Sequence, residues 1–187
     1  MDLKRARKIQ CMYSCDWFSS QIPHVTKTLK DQTVERILEI GSFEGRSAVW
    51  FLESYPNAQM VCVDTFQGSP EHVEANMDVS SLYERFSHNT QAHKDRLTVK
   101  RGHSSKMLYG MEPESFDLIY VDGSHTEADT LMDLILSMGL LKSGGTLLVD
   151  DYNQPSFPGV RAAVDTLMRV YDFETVYSGY QIHLRKK

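Results

Sequence analysis

The sequence has few cysteines, no excess of basic residues and no long apolar run. The three cysteines, Cys11, Cys15 and Cys62, are an odd number. Cys11 and Cys15 are four residues apart, and we expect no structural zinc site there. The formal net charge is −5, whereas surfaces that bind nucleic-acid phosphates are usually basic. No apolar stretch approaches the roughly 20 residues of a membrane span, and nothing resembles a secretory signal. We therefore expect a cytoplasmic protein with reduced thiols and with no nucleic-acid or membrane partner.

Strand-like and helix-like segments alternate along the 187 residues, of which 41% are hydrophobic. Repeated βα units predict an α/β fold: a Rossmann-like open sheet, mostly parallel, with helices on both faces. Two strand-like segments around Ser178-Gly179-Tyr180 predict a C-terminal antiparallel hairpin. We expect residues 1–187 to form a single domain, with residues 1–30 as an N-terminal helical or lid segment.

Two element boundaries follow from local signals. Leu82 and Phe86 share a face and predict a helix over residues 80–93. The pair Gly144-Gly145 predicts a turn that leads into a fifth strand over residues 146–150.

A glycine loop follows the first strand in the segment ILEIGSFEGRS, which begins at Ile37. Gly41 and Gly45 let the backbone approach a ligand, and Asp64 lies 64 − 41 = 23 residues after Gly41, where an acid can take ribose hydroxyls. The dinucleotide pattern G-x-G-x-x-G is missing because Phe43 stands at its middle position. The loop therefore favours a nucleoside without a diphosphate, and the alternative is a tight turn without a ligand.

Three acids stand at the ends of the fourth and fifth strands. Asp122 in YVDGSH ends the fourth strand, and Asp150 and Asp151 in LVDDY end the fifth strand. Carboxylates that crowd together at neighbouring strand ends repel one another, and a hard cation such as Mg²⁺ or Ca²⁺ relieves that repulsion. The alternative is that Asp150 or Asp151 caps the next segment or belongs to a plain turn with Tyr152 and Asn153.

Together these motifs resemble the class I S-adenosylmethionine-dependent O-methyltransferases, over most of the chain. LEIGSFEGRSA is similar to the catechol-type enzymes and to the macrolide- and aminocoumarin-sugar enzymes. The resemblance implies that Ser47 meets the carboxylate of S-adenosylmethionine and that Asp64 takes its ribose. It places Ser104 and Ser105 of RGHSS near the adenine. The residues that it implies around the rest of the cofactor are Glu39, Gly41, Ser42, Gly45 and Asp122.

The resemblance also implies a metal and a base. Catechol-type enzymes have an acid after strand four and an Asp-Asn pair after strand five, whereas the pair here is Asp150-Asp151, which is more like the sugar-modifying enzymes. We expect Asp122, Asp150 and Asp151 to hold Mg²⁺ or another divalent cation. His125 stands where catechol-type enzymes have a lysine base, while the acid that sugar-modifying relatives use one position earlier is Ser124 here. His125 is therefore the expected general base, and the alternatives are that it caps the next helix or lines the pocket.

The expected function is O-methylation of a small-molecule hydroxyl, on a sugar or on a phenol or catechol-like acceptor. Three alternatives stay open: a metal-free methyltransferase acting on another nucleophile, a nicotinamide oxidoreductase, and a noncatalytic module that binds the cofactor. The sequence does not define the oligomeric state, and a homodimer is one open alternative.

Overall fold

The computed structural model describes residues 10–74 and 76–187, so residues 1–9 of the predicted N-terminal segment lie outside the described part. Strands and helices alternate through most of this length. The strands are β1 Arg36–Ile40, β2 Gln59–Asp64, β3 Leu97–Arg101, β4 Phe116–Val121, β5 Leu141–Val149, β6 Phe173–Ser178 and β7 Ile182–Lys186. The helices are α1 Ile22–Leu29, α2 Arg46–Ser54, α3 Pro70–Glu74, α4 Leu82–Thr90, α5 Ser104–Met107, α6 Glu127–Leu140 and α7 Pro158–Val170.

The strands form one sheet in the order β3-β2-β1-β4-β5-β7-β6. The pairs among β1 to β5 are all parallel, and β7 runs antiparallel to both β5 and β6. The predicted open sheet with a C-terminal antiparallel hairpin is confirmed. The second strand of the hairpin, β7, lies next to β5, and its first strand, β6, forms the edge of the sheet.

Each face of the sheet carries its own hydrophobic core. Side chains alternate along β4, so Ile119 and Val121 pack with α6 and α7, while Leu118 and Tyr120 pack on the opposite face with α1, α2 and α4. Covering on both faces explains why the strands read as nearly continuous apolar runs. No helix in the described ranges is both long and apolar enough to cross a membrane.

Two predicted boundaries differ from the structure. Helix α4 ends at Thr90, and the chain continues to Arg96 as a tighter 3-10 helix, which shortens the helix predicted over 80–93. Strand β5 begins at Leu141, directly after α6, so Gly144 and Gly145 lie within the strand and do not precede it. The pairing of β4 with β5 is irregular between Phe116 and Leu118, which accommodates the two glycines.

Candidate active site

The carboxyl ends of β1, β2, β4 and β5 meet along one edge of the sheet, where open α/β proteins bind ligands. Two groups of residues lie there. We call the first the cofactor corner, formed by Glu39, residues 41–47 and Asp64. We call the second the acid edge, formed by Asp122, His125, Asp150 and Asp151.

Glu39 lies behind the glycine loop and is fully buried. Its carboxyl oxygens accept hydrogen bonds from the hydroxyls of Ser42 and Ser47, each at 2.5 Å, and from the Cys62 thiol at 3.2 Å. Burial raises the pKa of Glu39 to about 7, although the three donors partly oppose that shift. The carboxyl group thus supports the loop from within and does not face solvent.

The two loop glycines are required by packing, and their predicted role in letting the backbone approach a ligand stays a prediction. Both have positive φ, +82° for Gly41 and +78° for Gly45. A Cβ on Gly41 would lie 1.9 Å from the carbonyl oxygen of Asp122, and a Cβ on Gly45 would lie 2.9 Å from the Phe86 ring of α4. The space that a side chain would need is therefore occupied by neighbouring residues.

Asp64 is the last residue of β2, and its side chain accepts hydrogen bonds from backbone N–H groups of the glycine loop. Its Oδ2 accepts from the N–H groups of Ser42 and Phe43, at 2.7 and 2.9 Å, and its Oδ1 accepts from the Phe66 N–H at 2.6 Å. Because a carboxylate offers about four acceptor sites, a ribose hydroxyl would have to share this group with the loop or displace a backbone donor.

Ser104 and Ser105 begin the short helix α5, after β3. Ser105 is exposed, whereas Ser104 is partly buried. The Ser104 hydroxyl also lowers the pKa of Asp133 on α6, which burial raises to about 6. Asp133 was not among the residues predicted from the sequence. Its carboxylate also lies close to where a Cβ on Gly123 would be.

The acid edge brings three of its four members into one small group. Ligand atoms of Asp122, His125 and Asp151 all lie within 4.8 Å of one another. A small cavity of about 10 Å³, roughly the space for one water or ion centre, is lined by these three residues and by Asp150. Asp150 does not belong to the three-residue group found in the described part of the chain.

Asp150 is buried, with its two oxygens in different surroundings. The Tyr120 hydroxyl is 2.8 Å from Oδ2 of Asp150 and 3.1 Å from Oδ2 of Asp122. Oδ1 of Asp150 is buried and has no hydrogen-bond partner within residues 10–74 and 76–187. Burial, followed by the charge of Asp151, raises the pKa of Asp150 to about 6, although hydrogen bonding from Tyr120, Gln181 and the Asp151 backbone partly opposes that shift. Burial with both neighbouring carboxylates raises the pKa of Asp122 well above its usual value.

His125 lies against Asp151, with Nε2 of the ring 3.1 Å from Oδ2 of the carboxylate. The ring stacks on Phe157 at a centroid distance of 3.9 Å. The N-cap of α6 is Thr126, whose side chain accepts from the Asp129 N–H, so His125 is not the helix cap. Asp151 has a positive φ of +56°, and the Tyr180 hydroxyl donates to its Oδ1.

Comparison with known protein families decides the classification. A family model described as a methyltransferase domain matches residues 38–152, which is more than half of the chain and includes both the cofactor corner and the acid edge. The chain belongs to this methyltransferase family. The resemblance inferred from the glycine and acid motifs is therefore confirmed at the level of the family.

Two fungal proteins are similar to this methyltransferase in sequence. The O-methyltransferase AnkF of Aspergillus thermomutatus is 28% identical over 121 residues, which are 65% of this chain and 47% of that protein. The O-methyltransferase Hkm8 of Aspergillus hancockii is 31% identical over 118 residues, which are 62% of this chain and 42% of that protein. The matched part of the methyltransferase thus spans less than half the length of these curated relatives.

The fold of the methyltransferase is also similar to solved structures. One is the O-methyltransferase TomG from Streptomyces achromogenes, involved in tomaymycin synthesis and solved in complex with S-adenosylmethionine. It matches with a TM-score of 0.63 and 18% identity over 89% of this chain and 79% of that one. At this identity the likeness shows the shared fold.

The methyltransferase also contains contacts that the sequence analysis did not predict. Phe43 stacks on His72 at 4.8 Å and lies 5.3 Å from Trp17, so the expected N-terminal segment reaches the glycine loop through an aromatic cluster. Buried Glu44 pairs with Arg85 at 2.6 Å and accepts from the Ser14 N–H. In the sequence, the aromatic residues Trp17 and Phe43 are the local signal for this aromatic cluster.

Proposed function

We propose that this protein transfers the methyl group of S-adenosylmethionine to a hydroxyl group of a small molecule, with a divalent cation held at the acid edge. The contact between Gly41 and Asp122 supports this proposal most strongly. A Cβ on Gly41 would lie only 1.9 Å from the Asp122 carbonyl oxygen, so the two backbones touch. A donor at the cofactor corner and an acceptor at the acid edge would then occupy adjacent strand ends.

S-adenosylmethionine would supply an electrophilic methyl group on a positively charged sulfonium. Asp64 would take the ribose, and the N-terminus of α2 beside Ser47 would take the carboxylate. Glu39 would act from behind the loop by holding Ser42 and Ser47 in place. Gly41 and Gly45 would shape the loop, Asp122 would line the donor side of the pocket, and Ser104 and Ser105 would lie on the adenine side. TomG, which has a similar fold, was solved in complex with the same cofactor, and this supports the choice of cofactor.

Asp122, Asp150 and Asp151 would hold the cation, for which Mg²⁺ is the first candidate. Three observations fit such an ion: the orphaned buried Oδ1 of Asp150, the mutual repulsion of the carboxylates, and the cavity with space for one small centre. Oxygen donors suit a hard divalent cation. When bound, the cation would acidify the acceptor hydroxyl and fix its position.

His125 would accept the proton of the acceptor hydroxyl. The neighbouring Asp151 carboxylate would stabilise the imidazolium that forms, and stacking on Phe157 would hold the ring plane. A second role competes with this one, because the His125 ring also belongs to the three-residue group that could bind a metal. Magnesium prefers oxygen over ring nitrogen, which favours the role as base.

A small neutral or cationic acceptor suits the acid edge better than a nucleic acid does. Three carboxylates at the pocket and a net charge of −5 would repel a phosphate backbone. The fungal relatives named as O-methyltransferases support a hydroxyl acceptor.

Free Cys11, Cys15 and Cys62 suit the reducing cytoplasm.

The first experiment is a calorimetric panel with S-adenosylmethionine, S-adenosylhomocysteine and NAD, each with chelator or with Mg²⁺. We expect both adenosyl compounds to bind and NAD not to bind. Transfer of a labelled methyl group to a panel of phenols, catechols and sugars should then disappear in chelator and return with Mg²⁺. If neither adenosyl compound binds, the proposal is wrong. Transfer that is unchanged in chelator would instead identify a metal-free methyltransferase, and binding without transfer to any acceptor would favour a noncatalytic module.

A further inference from the structure

A chain of polar side chains crosses the apolar core from helix α1 to the acid edge. Its members are Thr28 on α1, Gln181 and His183 at strand β7, and Tyr120 on β4. Gln181, His183 and Tyr120 are all 0% exposed, and Thr28 is 7% exposed. Burying four polar groups among hydrophobic residues is costly unless every donor and acceptor is matched.

The hydrogen bonds in this chain have a single direction. A carboxylate can only accept, so Tyr120 donates to Asp150 at 2.8 Å. The Gln181 amide nitrogen, 3.5 Å away, then donates to the Tyr120 oxygen, and its carbonyl oxygen accepts from Nε2 of His183 at 3.0 Å.

The far end of the chain follows the same direction. The His183 ring carries its proton on Nε2, so Nδ1 accepts from the Thr28 hydroxyl at 2.6 Å. Burial lowers the pKa of His183 to about 4, which keeps the ring neutral and the direction constant near neutral pH. Aligned hydrogen bonds of this kind strengthen one another.

We propose that Tyr120 is a positioning residue for the cation site, and that Gln181 and His183 hold its hydroxyl in place. The hydroxyl lies between Oδ2 of Asp150 and Oδ2 of Asp122, so one donor fixes two carboxylates from different strands. With Oδ2 of Asp150 engaged, Oδ1 is the oxygen that stays available, and it is one of the buried polar atoms without a hydrogen-bond partner in the described ranges. This inference rests on the cation site of the proposed function.

The purpose of such a network can be separated from simple core stability. A purely structural hydroxyl would contribute to folding wherever it lies in the sheet. A positioning hydroxyl also increases metal affinity. Removal of a residue that orients metal ligands typically changes metal affinity 10–100-fold.

The test uses Mn²⁺ as the probe and the full chain after chelator treatment. Free Mn²⁺ is measured by electron paramagnetic resonance with saturating S-adenosylhomocysteine. Tyr120→Phe keeps the ring and removes only the hydroxyl, and we expect it to weaken Mn²⁺ binding about 10–100-fold. Gln181→Met should weaken binding in the same direction by a smaller factor. Affinity for S-adenosylhomocysteine should stay within about twofold in both variants.

The matched control is Thr146→Val. Thr146 lies on β5, is fully buried, and donates its hydroxyl hydrogen bond to Gln32 at 2.8 Å. This variant also loses a buried hydroxyl but should bind Mn²⁺ like the wild type.

Equal Mn²⁺ affinity in wild type and Tyr120→Phe would overturn the inference while leaving the cation site in place. A wild type that binds no Mn²⁺ would refute the cation site itself. If Tyr120→Phe does not fold, Gln181→Met decides: unchanged affinity in that variant would overturn the inference, and weakened affinity would support it.

Discussion

The cofactor corner and the acid edge both bury carboxyl groups, but the two regions differ in how many hydrogen-bond donors these carboxyl groups have. At the cofactor corner, Glu39 has three donors for its oxygens and Asp64 has three backbone N–H groups. At the acid edge, Asp122 and Asp150 share one tyrosine hydroxyl, and one oxygen of Asp150 is orphaned within the described chain.

This difference indicates which region satisfies its buried carboxyl groups with protein donors alone. The carboxyl groups of Glu39 and Asp64 have their donors within the protein, so this part of the cofactor corner can be ordered before any ligand arrives. The acid edge has an excess of negative charge and one buried carboxylate oxygen without a donor in the described ranges, which fits a site for a cation. The two regions meet at Gly41 and Asp122, and variants can therefore disturb one region, the other, or both.

Removal of the proposed base should have the largest effect, and only at the acid edge. His125→Ala should lower kcat about 10²–10⁴-fold on an accepted substrate, because general-base catalysis typically contributes this much. Affinity for S-adenosylhomocysteine should be unchanged by calorimetry. His88→Ala on α4 is the control and should keep full activity. If wild type and His125→Ala share the same pH–rate profile in shape and height, another group removes the proton.

Replacing Gly41 should disturb both regions together. Gly41→Ala adds a Cβ that would lie 1.9 Å from a backbone oxygen, at a φ of +82°, and we expect it to lower the free energy of unfolding by about 2–4 kcal/mol. Gly110→Ala is the matched control, because Gly110 has a φ of +76° but no atom within 4 Å of its Cβ position. It should cost about 1 kcal/mol. Equal losses in urea titrations would show that the contact with Asp122 has no energetic importance.

Loss of the acid at the end of β2 should affect only the cofactor corner. Asp64→Ala should weaken S-adenosylhomocysteine binding by about 1.5–3 kcal/mol, through lost ribose contacts and a loosened loop. Asp64→Asn, which keeps the shape and one acceptor, should lose less. Mn²⁺ affinity should be retained in both variants. Calorimetry that finds wild-type affinity in Asp64→Ala would rule out the ribose assignment.

The pH dependence of stability should report on Glu39. Its pKa of about 7 in the folded state lies above the ordinary value of 4.5, so the folded state binds more protons than the unfolded state between these values. Stability should therefore fall as pH rises from about 4.5 to 7, by on the order of 1–3 kcal/mol from this group. Glu39→Gln should show a weaker fall in urea unfolding free energy between pH 5 and pH 7.5. An identical pH dependence in the variant would contradict the assignment.

The sheet and its functional edge were predictable because they depend on local patterns. Apolar runs that end in Glu39-Ile40-Gly41, Asp64 and Asp122 mark strand ends, and parallel strands bring those ends to one edge. The predicted family and fold are confirmed, whereas the roles assigned to individual site residues stay predictions.

Other features depend on contacts between residues distant in the chain. Thr28, Tyr120 and His183 form one hydrogen-bonded chain, but nothing in their local sequence shows it. The packing of Gly41 against Asp122 and of Gly45 against Phe86 is equally long-range, so the sequence alone does not show it. The grouping of His125 with Asp122 and Asp151, without Asp150, depends on side-chain orientation at a left-handed Asp151.

Anomalous diffraction from crystals soaked in Mn²⁺ and S-adenosylhomocysteine tests the central claim most directly. We expect one manganese peak at the acid edge, within about 2.5 Å of carboxylate oxygens from Asp122, Asp150 and Asp151, with the His125 ring outside the coordination sphere. The adenosyl ligand should lie against residues 41–47 and Asp64. A peak bound by the His125 nitrogen would contradict the role of His125 as base, and no peak at the acid edge would contradict the cation site.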